Sequence, residues 1–407
     1  MKIMILGVGA QGSTVARRMD LEEKVTEIIC ADSDHTAVEE LVKELKKARG
    51  VEIDARNKDS IIKAAEGVDL IVNALPLPFA PNVLEAALSV KANYQDFAAT
   101  DVLTEKWEDG VQLMYDEYGK RFREIDRLAI IGTGSAPGLI CVAARKAMNY
   151  LDTCETIYNI VYEGLEPERF LPFWWSPFTA LSDMSEDAWA YVNGEIIRTT
   201  PFSLPITRKY DYMSEPVTCV EHAHDEPVYM GLNADKFFKG VKNAYFKYGG
   251  AGIDFAKPLY RAGLLSHEPE DVKGVMVAPF DVVLEHLPPA PKYHHEIQEI
   301  INEGLVNEEG CMVVEAIGMK DGKEITVEIH VYAPGLVEAF EKSGLTAEMY
   351  LTGQGGSLFT KLFVEGLYTQ KGLISSDMLL QDQVDIYLSW AEALDITIEV
   401  RIIEGRY

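Results

Sequence analysis

Basic residues are scarce in this chain of 407: 38 Lys and Arg stand against 65 Asp and Glu, a formal net charge of −27. That deficit excludes a nucleic-acid footprint and argues against docking on anionic membranes, since both need clustered positive charge. The acids are spread along the chain, which reads as a solvated surface and not as an acidic tail. Cysteine is sparse too. Cys30, Cys141, Cys154, Cys219 and Cys311 are odd in number and never closely spaced, so there is no Cys-x-x-Cys motif and no disulfide framework is expected. No apolar run reaches about 18 residues, so no membrane span is expected. The opening "MKIMILGVGAQG" enters a strand at once, without the pattern of a secretory leader, and a cytoplasmic location is expected.

What is present is a long chain with two kinds of periodicity. At this length one hydrophobic core is not enough, and at least two domains are expected. Through residue 135 short β-rich runs ("KIMILGVG", "VTEIICAD", "GVEIDA", "VDLIVNALP", "NYQDFA", "LAIIGTG") alternate with helical stretches such as "HTAVEELVKELKKA". That alternation means βαβ units and a parallel, doubly wound sheet. Over 136–345 the strands lengthen, as in "CETIYNIVYEG" and "CMVVEAIGMKDGKEITVEIHVYA", where "KDGK" puts an Asp-Gly turn between two alternating runs. The expected fold is α/β: an N-terminal Rossmann dinucleotide-binding domain followed by an α+β substrate domain with a largely antiparallel sheet. Residues 346–407 read as helix closing on a β-like "ITIEVRII", a segment expected to pack back on the first domain.

The turn "GVGAQG" is Gly7-x-Gly9-x-x-Gly12, placed after a strand and before a helix. Gly7 permits the tight turn, Gly9 the approach of a pyrophosphate, and Gly12 close packing of helix on strand. Ala10 and Gln11 complete the expected phosphate contacts. Asp32, twenty residues after Gly12, ends the second strand, where a carboxylate can bond the ribose hydroxyls and repel a 2′-phosphate. Ser33 and Asp34 follow it, not arginine, so NAD is expected over NADP. In "VNALPLPFAP" the fourth strand stops at prolines, making Asn73, Leu75 and Pro76 candidates for the nicotinamide side of the crevice. Asp96 ends the next strand and is either a holder of the substrate amine or a helix cap.

These motifs, in this order, resemble the saccharopine dehydrogenase-like family, in particular its short members of the lysine 6-dehydrogenase type. The likeness runs through "GVGAQG", "VDLIVNALP", "NYQDFA" and "GSAPGLICVAA", and then through "WSPFTALSDMSEDAWAYVNGE" and "NAYFKYGGAGIDFAKPLYRAGLLS". It closes with "VAPFDVVLEHLPP", "GKEITVEIHVYAPG" and "AEMYLTGQGGSLFTKLFVEGLYTQKGLISSDML". It implies an NAD(P)-dependent dehydrogenase acting at the C–N bond of an amino acid or diamine. The chain also departs from the pattern: Phe178 replaces the glutamate after Trp-Ser-Pro, with Asp183 as a second acid nearby, and Lys247 and Gly249 replace the Arg and Pro of an Arg-Tyr-Pro-Gly segment.

Hydride transfer at such a carbon needs positioning, deprotonation of the amine and exclusion of water. Trp175 and Ser176, in the aromatic stretch "PFWWSPFTALSD", are candidates for the pocket wall; core or dimer contact is the other reading of that stretch. Lys247, ahead of Arg169 and Arg261, is the candidate partner of a substrate carboxylate. His222 and His224 in "EHAHDE" are candidate general bases, and no metal site is expected because no third ligand is signalled. Two alternatives stay open: reductive condensation of an amine with a carbonyl compound, and a silent NAD-binding protein. A small-molecule substrate and a homodimer are expected.

Overall fold

The computed structural model describes residues 1–97 and 107–405. They form two compact units, one of Met1–Lys146 with Met349–Thr397, the other of Ala147–Glu348 with Ile398–Tyr407. The strands are β1 (Lys2–Leu6), β2 (Glu27–Asp32), β3 (Ala48–Glu52), β4 (Leu70–Asn73), β5 (Asn93–Asp96) and β6 (Leu128–Ile131). Next come β7 (Thr153–Pro167), β8 (Ala188–Val192), β9 (Glu195–Thr199), β10 (Ile206–Arg208), β11 (Val217–Glu221) and β12 (Asn243–Gly250). A short hairpin, β13 (Glu270–Val272) and β14 (Val275–Val277), precedes β15 (Leu305–Lys320), β16 (Lys323–Tyr332), β17 (Gly372–Ser375) and β18 (Thr397–Glu404).

The first unit's sheet runs β17-β6-β5-β4-β1-β2-β3, every pair parallel. Its central strands are buried on both faces: Ile3 to Ile5, Ile28 to Ala31 and Leu70 to Val72 have no exposed surface. Unbroken apolar runs of this kind are what a sheet covered by helices on both sides demands. The strand order reverses between β1 and β4, so a crevice opens at the carboxyl ends of those two strands.

In the second unit β10-β11-β12-β7-β15-β16-β18 make one sheet, with β8 and β9 attached beside β12. Most pairs are antiparallel; β12 and β7 are parallel. The β15–β16 hairpin turns at Asp321 and Gly322, both left-handed (φ 49 and 76), as an Asp-Gly two-residue turn requires. A separate core joins Leu171 and Trp174 to Ile297, Ile300, Leu336 and Phe340.

Several boundaries differ from the sequence reading. The helix after β2 stops at Glu44, because the Asp20 carboxylate accepts the backbone N–H groups of Lys46 (3.0 Å) and Lys47 (2.8 Å). The third strand accordingly starts at Ala48, not Gly50. A break at 135 would detach the helix Leu139–Ala147, whereas all but its last residue falls in the first unit. The segment from 346 is also divided. Its helices bracket β17, which pairs with β6, and its last strand, β18, joins the second sheet beside β16. With four residues, "GLIS" has no periodicity to separate strand from helix; pairing decides it. Pro177–Ser185 is helical despite the flanking prolines, since Pro177 occupies the first turn, where a missing N–H costs nothing.

Candidate active site

The glycine turn is built by close contacts that no side chain would fit. Gly7 is left-handed (φ +88), and a Cβ there would lie 2.6 Å from the Ala74 carbonyl oxygen. A Cβ on Gly12 would lie 1.8 Å from the carbonyl oxygen of Gly7. Gly9 is different: a Cβ there meets nothing within 4 Å, so the space beside it is open. Gly9 caps the helix Ala10–Asp20, which has no side-chain cap and no acid in its first turn. Ala10 and Gln11 therefore begin a helix whose first N–H groups and positive dipole end are free of competing carboxylates. Glycine cradle, uncapped helix start and open space fit a dinucleotide pyrophosphate.

Asp32 closes the same turn from β2. Its Oδ2 accepts the Val8 N–H (2.8 Å) and its Oδ1 the Asp34 N–H (3.1 Å), which fixes the carboxylate beside the glycines.

The ends of β4 and β5 shape the neighbouring space. A pocket of about 260 Å³ is lined by Gln11, Asn73, Leu75, Pro76, Asp96 and Phe97 among others, so four cofactor candidates and one catalytic candidate meet there. Beneath it runs a chain of hydrogen bonds. The Asn73 amide donates to the Tyr94 hydroxyl (3.0 Å), which donates to Asp96 Oδ2 (3.1 Å), while Asp96 Oδ1 accepts the Gly132 N–H (2.9 Å). Asn73 Oδ1 accepts the Leu75 N–H (3.2 Å) and so holds the lip. Burial lifts the Asp96 carboxyl to about 8, against the lowering effect of its two donors. Such a group can exchange a proton near neutral pH. Tyr94 was not among the expected residues, yet "NYQD" carried the signal: residues two apart on a strand share a face.

The remaining candidates lie in the second unit, with Lys247 and Trp175 on opposite faces of β12. On one face Lys247 is 1% exposed and ion-paired with Glu221, its antiparallel neighbour on β11. The ammonium also donates to the Leu204 carbonyl (2.7 Å) and sits 5.0 Å from the Tyr245 ring. Burial pulls Lys247 below and pushes Glu221 above their ordinary values, and their contact opposes both shifts. Lys247 is thus engaged in a buried protein pair. Arg169 is held by Glu303. On the other face Trp175 meets Tyr248 edge-on at 6.1 Å, and the Tyr248 hydroxyl donates to Glu163. Ser176 caps its helix through the Thr179 N–H (3.3 Å), a structural task. Trp174 is core, with its indole N–H on the Leu165 carbonyl. Glu163 and Tyr248 escaped the sequence reading, because only the β7–β12 pairing brings them together. Among the described residues no cluster of three or more His, Cys, Asp or Glu could hold a metal ion, and no helix is long and apolar enough to cross a membrane.

Comparison with known proteins agrees with this architecture. Residues 3–123 match the model of the saccharopine dehydrogenase NADP-binding domain. The carboxyaminopropylagmatine dehydrogenase of Synechocystis sp. is 24% identical over 97% of this chain and 98% of its own. The apo saccharopine dehydrogenase (L-Glu forming) of Saccharomyces cerevisiae has the same fold, with a TM-score of 0.69 over 99% of both chains at 12% identity. The homospermidine synthase of Legionella pneumophila, solved with NAD, gives 0.62 over 100% of this chain and 92% of its own at 10% identity. Residues 3–123 thus carry a likeness to a saccharopine dehydrogenase NADP-binding domain, and the chain as a whole shares the fold of saccharopine dehydrogenase.

Proposed function

We propose that the protein oxidises the C–N bond of an amino acid or diamine, or reduces the corresponding imine, with NAD preferred over NADP. The observation that carries this reading is Asp96: a buried carboxyl titrating near 8 on the wall of the pocket that adjoins the glycine turn. The bound dinucleotide supplies the hydride acceptor. In the forward direction Asp96 takes the proton of the substrate ammonium, and Tyr94 and Gly132 hold its two oxygens in place. Gly7, Gly9, Ala10, Gln11 and Gly12 hold the pyrophosphate, and Asn73, Leu75 and Pro76 face the nicotinamide. Trp175, in the second unit, is assigned a part in substrate binding.

Asp32 supports NAD, since a fixed carboxylate at the end of β2 accepts from ribose hydroxyls and repels a 2′-phosphate. The matching domain model is nevertheless described as NADP-binding, so preference is a direct test. The double substitution Asp32→Ser with Ser33→Arg shifts the ratio of kcat/KM for the two cofactors toward NADP; an unchanged ratio removes the assignment.

A second reading is the reverse synthesis, in which an amine and a carbonyl compound condense and are reduced. It is favoured by the similarity to a relative named carboxyaminopropylagmatine dehydrogenase. Assays of amines with NAD, and of amine plus carbonyl compound with NADH, separate the two. The same reading has the enzyme working as a cytoplasmic homodimer, which cell fractionation and solution mass test.

A further inference from the structure

The long helix Ala347–Glu365 carries three glycines, Gly353, Gly355 and Gly356, in the part that belongs to the first unit. Glycine is the poorest helix former apart from proline, so three within four residues need a physical reason. A Cβ on Gly355 would lie 2.9 Å from the Gly134 carbonyl oxygen, and one on Gly353 2.8 Å from Thr14 Cβ, so these two let the helix pack closely on its neighbours. Gly356 is different. A Cβ there would overlap Cε1 of the Phe97 ring and lie 2.6 Å from its Cζ, with the Thr133 carbonyl oxygen next at 3.1 Å. The Phe97 ring rests on bare helix backbone.

Buried bonds hold the helix in that register. Gln95 has no exposed surface, and its amide nitrogen donates to the Gly356 carbonyl (2.9 Å) and to Thr133 Oγ1 (3.0 Å). Gln95 Oε1 accepts the Thr360 hydroxyl (2.9 Å). Both amide donors and the amide oxygen are engaged, which leaves this side chain one orientation. Gln95 thus turns to the helix from β5, and Phe97, two residues on, rests on the same helix. Tyr94 and Asp96 turn to the opposite face and bond to each other. Asp96 and Phe97 both border the pocket of about 260 Å³, and Gly356 does not, so the helix stands behind the ring and the pocket in front of it.

We propose, resting on the assignment of this pocket to the nicotinamide end of the dinucleotide, that Phe97 is the wall that sets its width and that Gly356 is the residue that positions that wall. An aromatic ring is a rigid apolar boundary, and its place is set by how closely the helix approaches from behind. A methyl group at 356 must displace one or the other. The helix is tied to β5 and to Thr133 through Gln95, whereas the ring is the far end of a side chain that turns about two bonds. The ring moves, toward the pocket. Helix propensity alone would favour alanine at 356, so the glycine serves the pocket and not the helix.

Titration of the full-length protein with NADH and with ADP-ribose, which lacks the nicotinamide, reads the two ends of the site separately. Gly356→Ala is expected to weaken NADH about tenfold, to leave ADP-ribose affinity at the wild-type value, and to keep the wild-type melting temperature. Phe97→Ala is expected to weaken NADH to a similar degree, with ADP-ribose again unchanged. In the Phe97→Ala background Gly356→Ala is expected to have no further effect on NADH, since there is no ring left to displace. A Gly356→Ala loss that falls equally on NADH and ADP-ribose, or that persists in full in the Phe97→Ala background, overturns the proposal. Wild-type NADH affinity in either single variant overturns it as well, and Phe97→Ala gives that result whether or not the helix variant folds. NADH binding that depends on Phe97, with no amine ever oxidised, keeps this wall and removes the amine-oxidation reading; amine oxidation with NADH affinity indifferent to both residues does the reverse.

Discussion

Gly9 and Gly12 stand three residues apart in one turn and are glycines for different reasons. A methyl on Gly12 collides with the Gly7 carbonyl, while a methyl on Gly9 meets only open space. Gly12→Ala is therefore expected to lower stability, because backbone must move, and to lose nucleotide binding with it. Gly9→Ala is expected to unfold at the wild-type temperature and still bind NAD(H) about tenfold or more weakly, since the added group fills the space a phosphate needs. Thermal unfolding and fluorescence titration with NADH read the two effects separately. Full nucleotide affinity in Gly9→Ala contradicts the assignment of that space.

At the scale of elements, the aromatic segment ahead of the helix Pro177–Ser185 divides its neighbours by task. Trp174 is buried in the core with Leu171, Ile297 and Phe340, whereas Trp175 is half-buried, packs against the edge of the same core and meets Tyr248 and Phe173 edge-on. Trp174→Ala is expected to cost about 3–5 kcal/mol of stability, as large aromatic truncations in a core do. Trp175→Ala is expected to cost less stability than Trp174→Ala, because its ring is only half-buried against that core, and to reduce turnover; full turnover would make Trp175 packing alone. The sequence left core and pocket wall open for this pair, and it had to. Adjacent residues in an irregular segment have no fixed facing, so only the packed partners distinguish them. The glycine turn was legible for the opposite reason: spacing there is dictated by backbone contacts within one βα unit. The pairing of Lys247 with Glu221 was not legible, because the two are distant in sequence and meet only through the β11–β12 register. Likewise β17 is defined by β6, not by its own four residues. Local chemistry was readable, and long-range pairing was not.

Across the whole molecule the buried acids set an unusual pH response. Asp96 is lifted to about 8, and Glu163 and Asp183 to about 7, from ordinary values of 3.8 or 4.5, in each case chiefly by burial. A carboxyl raised in the native state keeps a proton that the unfolded chain has released, so stability falls as pH rises between the two values. Carboxyls held low by arginine, such as Glu85 beside Arg121 and Glu27 beside Arg49, act in the other sense and only at lower pH. Thermal unfolding without added nucleotide is thus expected to peak at mildly acidic pH and decline toward pH 8. Asp96→Asn flattens the upper part of that decline. A melting temperature that climbs steadily from pH 5 to 8 contradicts the account.

We assign to Asp96 the proton of an amine oxidised at the mouth of the glycine turn. The most direct test is reduced-cofactor absorbance with a panel of amino acids and diamines plus NAD, comparing the wild type with Asp96→Asn across pH. Amine-dependent NADH formation is expected to rise through about pH 8, and the variant to lose about 10² or more in kcat with NADH affinity unchanged. A variant that keeps full turnover and the same pH profile, or a wild type that oxidises no amine and reduces no imine, contradicts that assignment.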